Sequence, residues 1–446
     1  MSGGDTMAAV ATAGGTGAVA LIRLSGPEAA EVAARACTCG SDWQDRRAVL
    51  KTVRDEAGAV IDQVLVTVFH APRSYTGDTV AEIATHGGRL VTRRVLERLL
   101  ECGARSAQPG EFTERAFMNG KLDLTQAEAV MDLISAQSEL ALRAAHEQLE
   151  GRLGERTEKL RQELIDTVAN LEAWIDFPEE DIDPETGEAL RKRIEGVAAE
   201  IRALLSTADQ GRILREGLRT VICGRPNAGK SSLMNRLLGS DRAIVSGTEG
   251  TTRDTIEEML VIEGVPVRMV DTAGLREAGD EIEEEGIRRT IQEAERADLL
   301  IVVVDSTMPM DGAMPARLPE VGRKILVLNK SDLGEHADWS ASEGIRVSCL
   351  DGRGLDELRA QVRVLADLGE ADWGEHSVAI NARHRDRLMR ADEALQRADA
   401  SLSADAEPEI TALDLREAME YLGEIAGKID TEEILGSIFS RFCIGK

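Results

Sequence analysis

The chain has few aromatic residues, few cysteines and no long hydrophobic run. Only 3% of its 446 residues are Phe, Trp or Tyr, and its six cysteines form no disulfide framework. The longest uninterrupted apolar stretch, Leu299 to Val304, is far below the roughly 20 residues that a membrane-spanning helix needs. The N-terminus lacks the basic start and apolar stretch of a secretory signal. We therefore expect no membrane span, and a protein of the reducing cytoplasm.

Cysteine spacing typical of a zinc site is also nearly absent. Cys37 and Cys39 form a C-x-C pair, but no second pair follows at the spacing that zinc ligands show. Ordinary thiols are therefore the preferred interpretation, with a zinc site as the alternative.

Positive charge is scarce as well. The chain holds 53 Lys and Arg against 80 Asp and Glu, a net charge of −27, and the first 119 residues are nearly neutral. So acidic a surface repels phosphate backbones, which excludes nucleic-acid binding by overall charge. Arg89, Arg93, Arg94 and Arg98 could form a local basic patch, although a solvated helix face is the interpretation that we favour.

Hydrophobic periodicity divides the chain into four segments. Residues 1–119 alternate short apolar runs with Gly and Pro breaks, which predicts an α+β domain. Helical spacing of apolar residues predicts helices over 120–215 and 372–446. Between them, residues 216–371 alternate strand-like and helical segments, which is typical of a parallel α/β sheet. The predicted strands are Ala18–Leu24, Val60–Phe69, Val80–Ile83, Thr220–Cys223, Val265–Val270, Leu299–Val304 and Lys324–Leu328, and Leu90–Leu100 is predicted to be a helix.

A phosphate-binding loop follows the first predicted strand of the α/β segment. GRPNAGKS (Gly224–Ser231) fits the pattern G-x-x-x-x-G-K-[ST] and precedes a predicted helix. In such loops backbone N–H groups surround phosphates at a helix N-terminus. Lys230 would bring positive charge to the outer phosphates, and Ser231 could ligate Mg²⁺.

Three further motifs follow apolar strands in the order expected of a GTPase. DTAG (Asp271–Gly274) places a carboxylate near the metal and a flexible N–H near the terminal phosphate. NKSD (Asn329–Asp332) offers a carboxylate to two N–H groups of guanine, and adenine lacks that pair. SCLDGRG (Ser348–Gly354) supplies backbone N–H groups for the guanine oxygen. The set resembles the TRAFAC class of GTPases and disfavours an ATP-binding site.

The residue that follows DTAG departs from the Ras pattern. Ras-like proteins carry a Gln there that orients the attacking water, whereas this chain has Leu275. Asn227 offers an amide oxygen near the phosphates, where a monovalent cation could stand in for an arginine finger. Carbonyl groups of the loop Ile244–Asp254 could complete that site, and Thr252 could reach Mg²⁺. The alternative is that Asn227 caps a turn, and the spacing of the residues favours neither interpretation.

Motifs along the whole chain resemble the MnmE (TrmE) family of tRNA-modification GTPases. In the α/β segment these are GRPNAGKSSLMN, GTTRD, DTAGLRE and NKSD. Outside it they are Ser74–Gly88, Gln108–Ile134 and the closing FCIGK, Phe442–Lys446. The resemblance implies a Ras-like G domain inserted in a helical domain, preceded by an α+β domain that binds a tetrahydrofolate and mediates homodimer formation.

The resemblance also implies a function. Such proteins act with an FAD-containing partner, MnmG (GidA), to build a carboxymethylaminomethyl-type group on the wobble uridine, position 34, of certain tRNAs. K⁺ drives GTP hydrolysis when the two G domains of the homodimer meet. Because this chain is so acidic, we expect the partner to carry much of the tRNA contact.

The resemblance assigns roles to particular residues. It implies K⁺ ligation by Asn227, Ser246, Thr248 and Thr251, Mg²⁺ ligation by Ser231 and Thr252, water orientation by Glu283, and a role for Cys443 at the modification site. Ser246 and Glu249 depart from the residues usual in the family. The implied folate contacts are Arg23, Glu82, Lys121 and Lys446. The expected GTP contacts are Asn227, Ala228, Gly229, Lys230, Ser231, Ser232, Ser246, Gly247, Thr248, Glu249, Gly250, Thr251, Thr252, Asp271, Thr272, Ala273, Gly274, Asn329, Lys330, Asp332, Ser348 and Cys349.

Two other functions are compatible with a G domain. A ribosome-assembly GTPase predicts an appended RNA-binding module in basic surroundings, whereas the tail of this chain is helical and acidic. A slowly hydrolysing switch module would be consistent with Leu275 in place of Gln. K⁺-stimulated turnover separates the switch from an enzyme that hydrolyses GTP efficiently.

Overall fold

A computed structural model describes residues 4–176, 188–241, 257–270, 292–315, 321–367, 379–404, 407–428, 432–440 and 442–445. The chain forms two compact units, each built from separated segments. The first unit comprises Met1–Met131, Leu153–Gln162 and Met419–Lys446, and the second comprises Asp132–Arg152 and Glu163–Ala418. Within the described ranges, no helix combines the length and the apolar character that crossing a membrane requires.

A six-stranded sheet forms the centre of the first unit. Its strand order is β3-β4-β5-β2-β1-β6, and only the β1–β6 pair is parallel. One face packs against two helices through Ile22, Leu24, Val66 and Ile83, which alternate with residues of the opposite face. The strands are β1 Met7–Val10, β2 Val19–Ser25, β3 Val49–Arg54, β4 Val60–Phe69, β5 Val80–His86 and β6 Arg105–Ser106.

The second unit contains a six-stranded sheet in the order β12-β11-β10-β7-β9-β8, parallel except for the β8–β9 pair. In β10, alternate residues contribute to hydrophobic clusters on opposite faces. Both faces are thus buried, which explains why Leu299 to Val304 is apolar throughout. The strands are β7 Leu218–Cys223, β8 Glu257–Ile262, β9 Val265–Val270, β10 Leu299–Asp305, β11 Lys324–Asn329 and β12 Ile345–Arg346.

Amphipathic helices contribute further buried apolar residues to the two units. In α2, for example, Thr92, Val95 and Leu99 recur at helical spacing and are buried. The described helices are α1 Ala29–Ala36, α2 Arg89–Glu101, α3 Glu111–Met118, α4 Leu124–Ser135, α5 Glu139–Leu149, α6 Arg152–Asp176, α7 Glu188–Ser206, α8 Ala208–Glu216, α9 Lys230–Asp241, α10 Met310–Ala313, α11 Leu355–Ala366, α12 Ala382–Ser403, α13 Pro408–Ala426 and α14 Glu432–Phe439.

The fold class predicted from the sequence is confirmed. Every predicted strand coincides with an observed strand to within a few residues, and the parallel sheet lies between helical segments. The pattern did not reveal α1 or the strands β1, β3 and β8, whose short or mixed sequences carry a weak periodicity. The boundaries between the four predicted segments remain a prediction.

Candidate functional site

Three of the predicted nucleotide motifs meet at one edge of the parallel sheet. Strands β7, β10, β11 and β12 pair in parallel, so their carboxyl ends lie at the same edge. The loop Gly224–Ser231 follows β7, the NKSD motif begins at the end of β11, and Ser348 follows β12. This is the edge where open α/β sheets bind ligands.

Glycines shape the phosphate-binding loop. Gly224 has a φ of 152°, and a Cβ there would collide with the carbonyl oxygen of Val303. At Gly229, with a φ of 101°, a Cβ would collide with the side-chain amide of Asn329. Lys230 begins α9, and its ammonium donates to the carbonyl oxygens of Gly224 and Arg225, each at 2.9 Å. The loop therefore curls around a lysine ammonium at a helix N-terminus.

Asn227 occupies an exposed position in this loop. Its backbone is left-handed, with a φ of 61°, which asparagine tolerates better than most residues. Its side-chain amide makes no hydrogen bond within the described ranges, so the turn-capping alternative finds no bond there to support it.

The NKSD motif contacts both the phosphate loop and the neighbouring strand. Buried Asn329 donates from Nδ2 to the Ala228 carbonyl oxygen at 2.8 Å, and its Oδ1 lacks a hydrogen-bond partner in the described part of the chain. Lys330 is left-handed, with a φ of 64°, and its ammonium lies 2.6 Å from Oδ2 of Asp305 at the end of β10. Asp332 is exposed. The motif thus presents two groups that could meet a ligand, the side-chain oxygen of Asn329 and the exposed carboxylate of Asp332.

The loop after β12 lies beside Asp332. Ser348 is buried, and its hydroxyl accepts a bond from Asp351 N at 3.3 Å. Burial raises the pKa of the Cys349 thiol, and the negative charge of Asp332 raises this pKa further. The positive charge of Arg236 acts in the opposite direction. The Ser331 N–H donates to the Val347 carbonyl oxygen at 3.2 Å, so the NKSD segment and this loop lie side by side.

Asp305 is a functional candidate that the sequence analysis missed. Burial alone would raise its pKa, but hydrogen bonds from Lys330 and Thr307 outweigh burial and hold the pKa below its ordinary value. Asp305 therefore stays ionised and anchors Lys330. Its place at the end of a strand, next to the NKSD strand, was the available signal.

Several predicted site residues lie outside the described residues. These are the loop residues Ser246, Gly247, Thr248, Glu249, Gly250, Thr251 and Thr252, the DTAG residues Asp271, Thr272, Ala273 and Gly274, the predicted water-orienting Glu283, and Lys446 at the tail.

A second candidate site lies on the first unit's sheet. Arg23 of β2 and Glu82 of β5 are register partners, and Arg23 Nη2 lies 2.8 Å from Glu82 Oε1. The guanidinium carbon lies 5.6 Å from the ring centre of Tyr75 and 5.9 Å from that of Phe112. Two aromatic rings thus contact the guanidinium, and the Glu82 carboxylate is a hydrogen-bond acceptor beside it. The aromatic residues were missed by the sequence analysis, since nothing in their spacing marks them.

The C-terminal segment approaches this second site. Ile444 forms a bridge with Pro109, Gly110 N donates to the Cys443 carbonyl oxygen at 3.5 Å, and Gly445 packs against the Val10 carbonyl oxygen. Val10 follows Ala9, the register partner of Arg23. The side chain of Cys443 is exposed. Lys121 lies apart from the Arg23 pair in its contacts, with its ammonium donating to the Pro72 carbonyl oxygen at 3.3 Å.

Three of the four arginines of α2 are paired with carboxylates. Arg93 pairs with Glu97, Arg94 with Asp55, and Arg98 with Glu101. This pairing favours a solvated helix face over a nucleic-acid patch.

Cys37 and Cys39 are free thiols, as are the other four cysteines. No group of three or more Cys, His, Asp or Glu residues in the described ranges is arranged to hold a metal ion. The C-x-C pair therefore gains no support as a zinc site.

Comparison with known proteins gives matches over nearly the whole chain. The family model described as "GTP-binding protein TrmE N-terminus" matches residues 6–121, and "MnmE helical domain" matches residues 124–443. A protein of Akkermansia muciniphila named "tRNA modification GTPase MnmE" is 51% identical over 99% of both chains. Proteins of the same name from Geobacter sulfurreducens and Aquifex aeolicus are each 43% identical, over 99% of this chain and 99% and 100% of theirs.

Proposed function

The chain belongs to the MnmE family of tRNA modification GTPases, and we propose on that premise that it hydrolyses GTP in a K⁺-dependent manner during wobble-uridine modification. It would act with the FAD-containing partner MnmG to install a carboxymethylaminomethyl-type group at position 34 of certain tRNAs. The observation that carries the GTPase assignment is the meeting of the phosphate loop, the NKSD motif and the Ser348 loop at one sheet edge. Family membership disfavours a ribosome-assembly GTPase.

The phosphate loop fits a Mg²⁺-bound nucleotide. The ammonium of Lys230 rests on two backbone carbonyls, and phosphate oxygens are stronger partners for it. Ser231 at the start of α9 would ligate Mg²⁺ together with Thr252, and the metal would neutralise phosphate charge. Asp271 and Gly274 would complete the phosphate end.

The base end fits guanine. Asp332 would accept two N–H bonds from the base, and Ser348 and Cys349 lie in the loop that would face its oxygen. Asn329 ties this end to the phosphate loop through Ala228. Adenine would leave the Asp332 carboxylate without its two donors, so the site should reject it.

Asn227 supports the K⁺ part of the proposal. Its exposed amide is free to ligate a cation, and Ser246, Thr248 and Thr251 would contribute the other ligands. The cation would place positive charge beside the phosphates when two G domains pair, in the position that an arginine finger takes elsewhere. Glu283 would orient the attacking water, which Leu275 cannot do.

The Arg23 pair supports a tetrahydrofolate site. The Glu82 carboxylate can accept N–H groups of a pteridine-like ring, and Tyr75 and Phe112 flank the guanidinium beside it. Lys121 and Lys446 would contact the acidic end of the folate. Cys443, carried by a segment that packs near Val10, would act at the same site.

An apolar row on the first unit's sheet supports a homodimer. Leu50, Leu65, Ala84 and Leu21 are register partners across four adjacent strands. Leu50 is 63% and Leu65 48% exposed, on the face opposite the one that packs against α1 and α2. Side chains of this kind gain free energy when a second copy covers them.

GTP turnover in K⁺ against Na⁺ at matched ionic strength tests the function, across a range of protein concentrations. We expect faster turnover in K⁺, with a rate per molecule that rises with protein concentration, because hydrolysis requires G-domain pairing. Equal rates in the two salts would refute the K⁺ mechanism and favour the slow switch.

Asn227→Ala should abolish the K⁺ stimulation and leave nucleotide binding mostly intact. Asn235→Ala is the matched control, since it removes the same amide from an exposed position on α9. Normal K⁺ stimulation in the Asn227 variant would contradict its role as a ligand.

A further inference from the structure

The loop from Ser348 to Gly354 has an unusual arrangement of backbone groups. Its first carbonyl, that of Ser348, accepts from Gly352 N at 2.9 Å, inside the turn. The next two carbonyls leave the turn and reach the guanidinium of Arg236 on α9. Arg236 Nε donates to Cys349 O at 2.7 Å, and its Nη2 donates to Leu350 O.

Holding these carbonyls fixes the direction of two N–H groups. In a trans peptide the C=O and the following N–H point in opposite directions. The Ser348 carbonyl therefore aims the N–H of Cys349 out of the turn, and the Cys349 carbonyl aims the N–H of Leu350 away from α9. Neither N–H has an acceptor among the residues that the structure describes. Two oriented donors are thus available to a ligand acceptor.

We propose that Arg236 is a positioning residue for base recognition, and that it selects nucleotides whose purine carries an oxygen at position 6. By holding the Cys349 carbonyl it fixes the Leu350 N–H, next to the Cys349 N–H that the bond between Gly352 and the Ser348 carbonyl fixes, so that the loop presents both N–H groups to that oxygen. The inference rests on the proposed function, because the base must occupy the pocket beside Asp332. The planar guanidinium suits this task, since it spans two carbonyls that a lysine ammonium would hold less rigidly.

Arg236 also links the two ends of the nucleotide site. It lies on α9, the helix that begins at Lys230 of the phosphate loop. An ion pair that connects α9 to α11, the helix that follows this loop, provides a control. Arg359 of α11 pairs with Asp241 of α9 at 3.0 Å and with Asp356 at 2.7 Å, and the loop carbonyls take no part in these bonds.

The experiment measures dissociation constants of three diphosphates by competition with a fluorescent GDP derivative. GDP and inosine diphosphate both carry the oxygen at position 6, whereas 2-aminopurine riboside diphosphate lacks it. For Arg236→Ala, we expect about tenfold weaker binding of GDP and inosine diphosphate, the loss of one good hydrogen-bonding arrangement. Binding of the 2-aminopurine nucleotide should stay within about twofold of wild type, and Arg236→Lys should fall in between.

The control Arg359→Ala should keep the wild-type ratio of the three constants, even if its melting temperature falls. Parallel weakening of all three nucleotides in Arg236→Ala would overturn the inference and make Arg236 an ordinary structural tie. The wild-type protein decides the proposed function separately. If it binds GDP no better than the 2-aminopurine nucleotide, guanine recognition fails and the inference fails with it.

Discussion

At the scale of single residues, the proposed base site has two aspartates in different surroundings. Asp332 is exposed and free to meet a ligand, whereas Asp305 is largely buried and bound to Lys330. Lys330 has a left-handed backbone, and the ion pair with Asp305 holds its ammonium at the end of β10. In the proposed site, Asp332 would therefore recognise the base and Asp305 would position Lys330.

Asp332→Asn should reverse the base preference. The variant replaces one acceptor by a donor, so we expect GTP to bind at least about tenfold more weakly and xanthosine triphosphate, which has an oxygen at position 2, to bind more tightly. Competition binding of both nucleotides measures the change. Asp311→Asn, at an exposed carboxylate in α10, should leave both constants as they are. Undiminished selectivity for GTP in the Asp332 variant would contradict its role.

Asp305→Asn should change how stability depends on pH. The folded-state pKa of Asp305 lies below its ordinary value of 3.8, so its ionised form stabilises the fold above that value. This stabilisation is lost as the pH falls through the folded-state pKa. At pH 7 we expect the free energy of unfolding of the variant to be about 1–2 kcal/mol lower than that of wild type.

Urea unfolding at pH 7, 5, 4 and 3 measures this effect. The gap between wild type and Asp305→Asn should narrow as the pH falls below about 4. A gap that stays constant over that range would show that the charge of Asp305 contributes nothing, and that the substitution acts through packing alone.

At the scale of elements, the first unit's sheet has two unlike faces. One face is covered by α1 and α2, and the other carries the row of Leu50, Leu65, Ala84 and Leu21 beside the Arg23 pair. Register alone puts this apolar row next to a charged row, because residues two apart on a strand share a face. A dimer that covers the first row would therefore lie beside the proposed folate site.

Leu65→Glu should weaken the homodimer without unfolding the monomer. A carboxylate at the centre of the apolar row would have to be buried in the dimer, so we expect the dimer dissociation constant to rise at least about tenfold. Light scattering after size-exclusion chromatography measures it. Leu90→Glu is the matched control, since Leu90 is also exposed but lies on α2, which packs on the opposite face. Equal dimerisation of both variants would place the interface elsewhere.

At the scale of the whole molecule, the net charge of −27 opposes self-association. Residues 1–119 are nearly neutral, so the negative charge lies almost entirely on the helical and G-domain segments. The proposed pairing of two G domains would therefore act against repulsion, whereas the proposed pairing of two N-terminal sheets would not.

GTP turnover should consequently depend on ionic strength at a fixed K⁺ concentration. Raising the ionic strength with choline chloride shortens the screening length to about 8 Å at 0.15 M. We expect half-maximal turnover at a lower protein concentration, because screened G domains pair more readily. The Asn227→Ala variant should not respond, since its turnover lacks the K⁺-dependent component. Turnover that falls with added choline chloride in the wild type would argue that attraction, not repulsion, governs the pairing.

The sequence predicted the motif-bearing elements well. The phosphate loop and NKSD lie where apolar strands end, and both signals are local, since they depend on periodicity and on neighbours in the chain. Fold class and family followed for the same reason. The strands β1, β3 and β8 were missed because they are stabilised by pairing partners distant in the chain, and periodicity within a short segment does not report such partners.

Only the tertiary structure decided which distant residues meet. Lys330 and Asp305 are 25 residues apart, and Arg236 lies 113 residues from the Cys349 carbonyl that it holds. Arg23 and Glu82 become partners through strand register, with Tyr75 and Phe112 brought beside them. The sequence alone determined which chemistry the chain carries, because residue types and local order are enough for that. Which residues position that chemistry depends on packing between elements, and packing is set by contacts that the linear order does not contain.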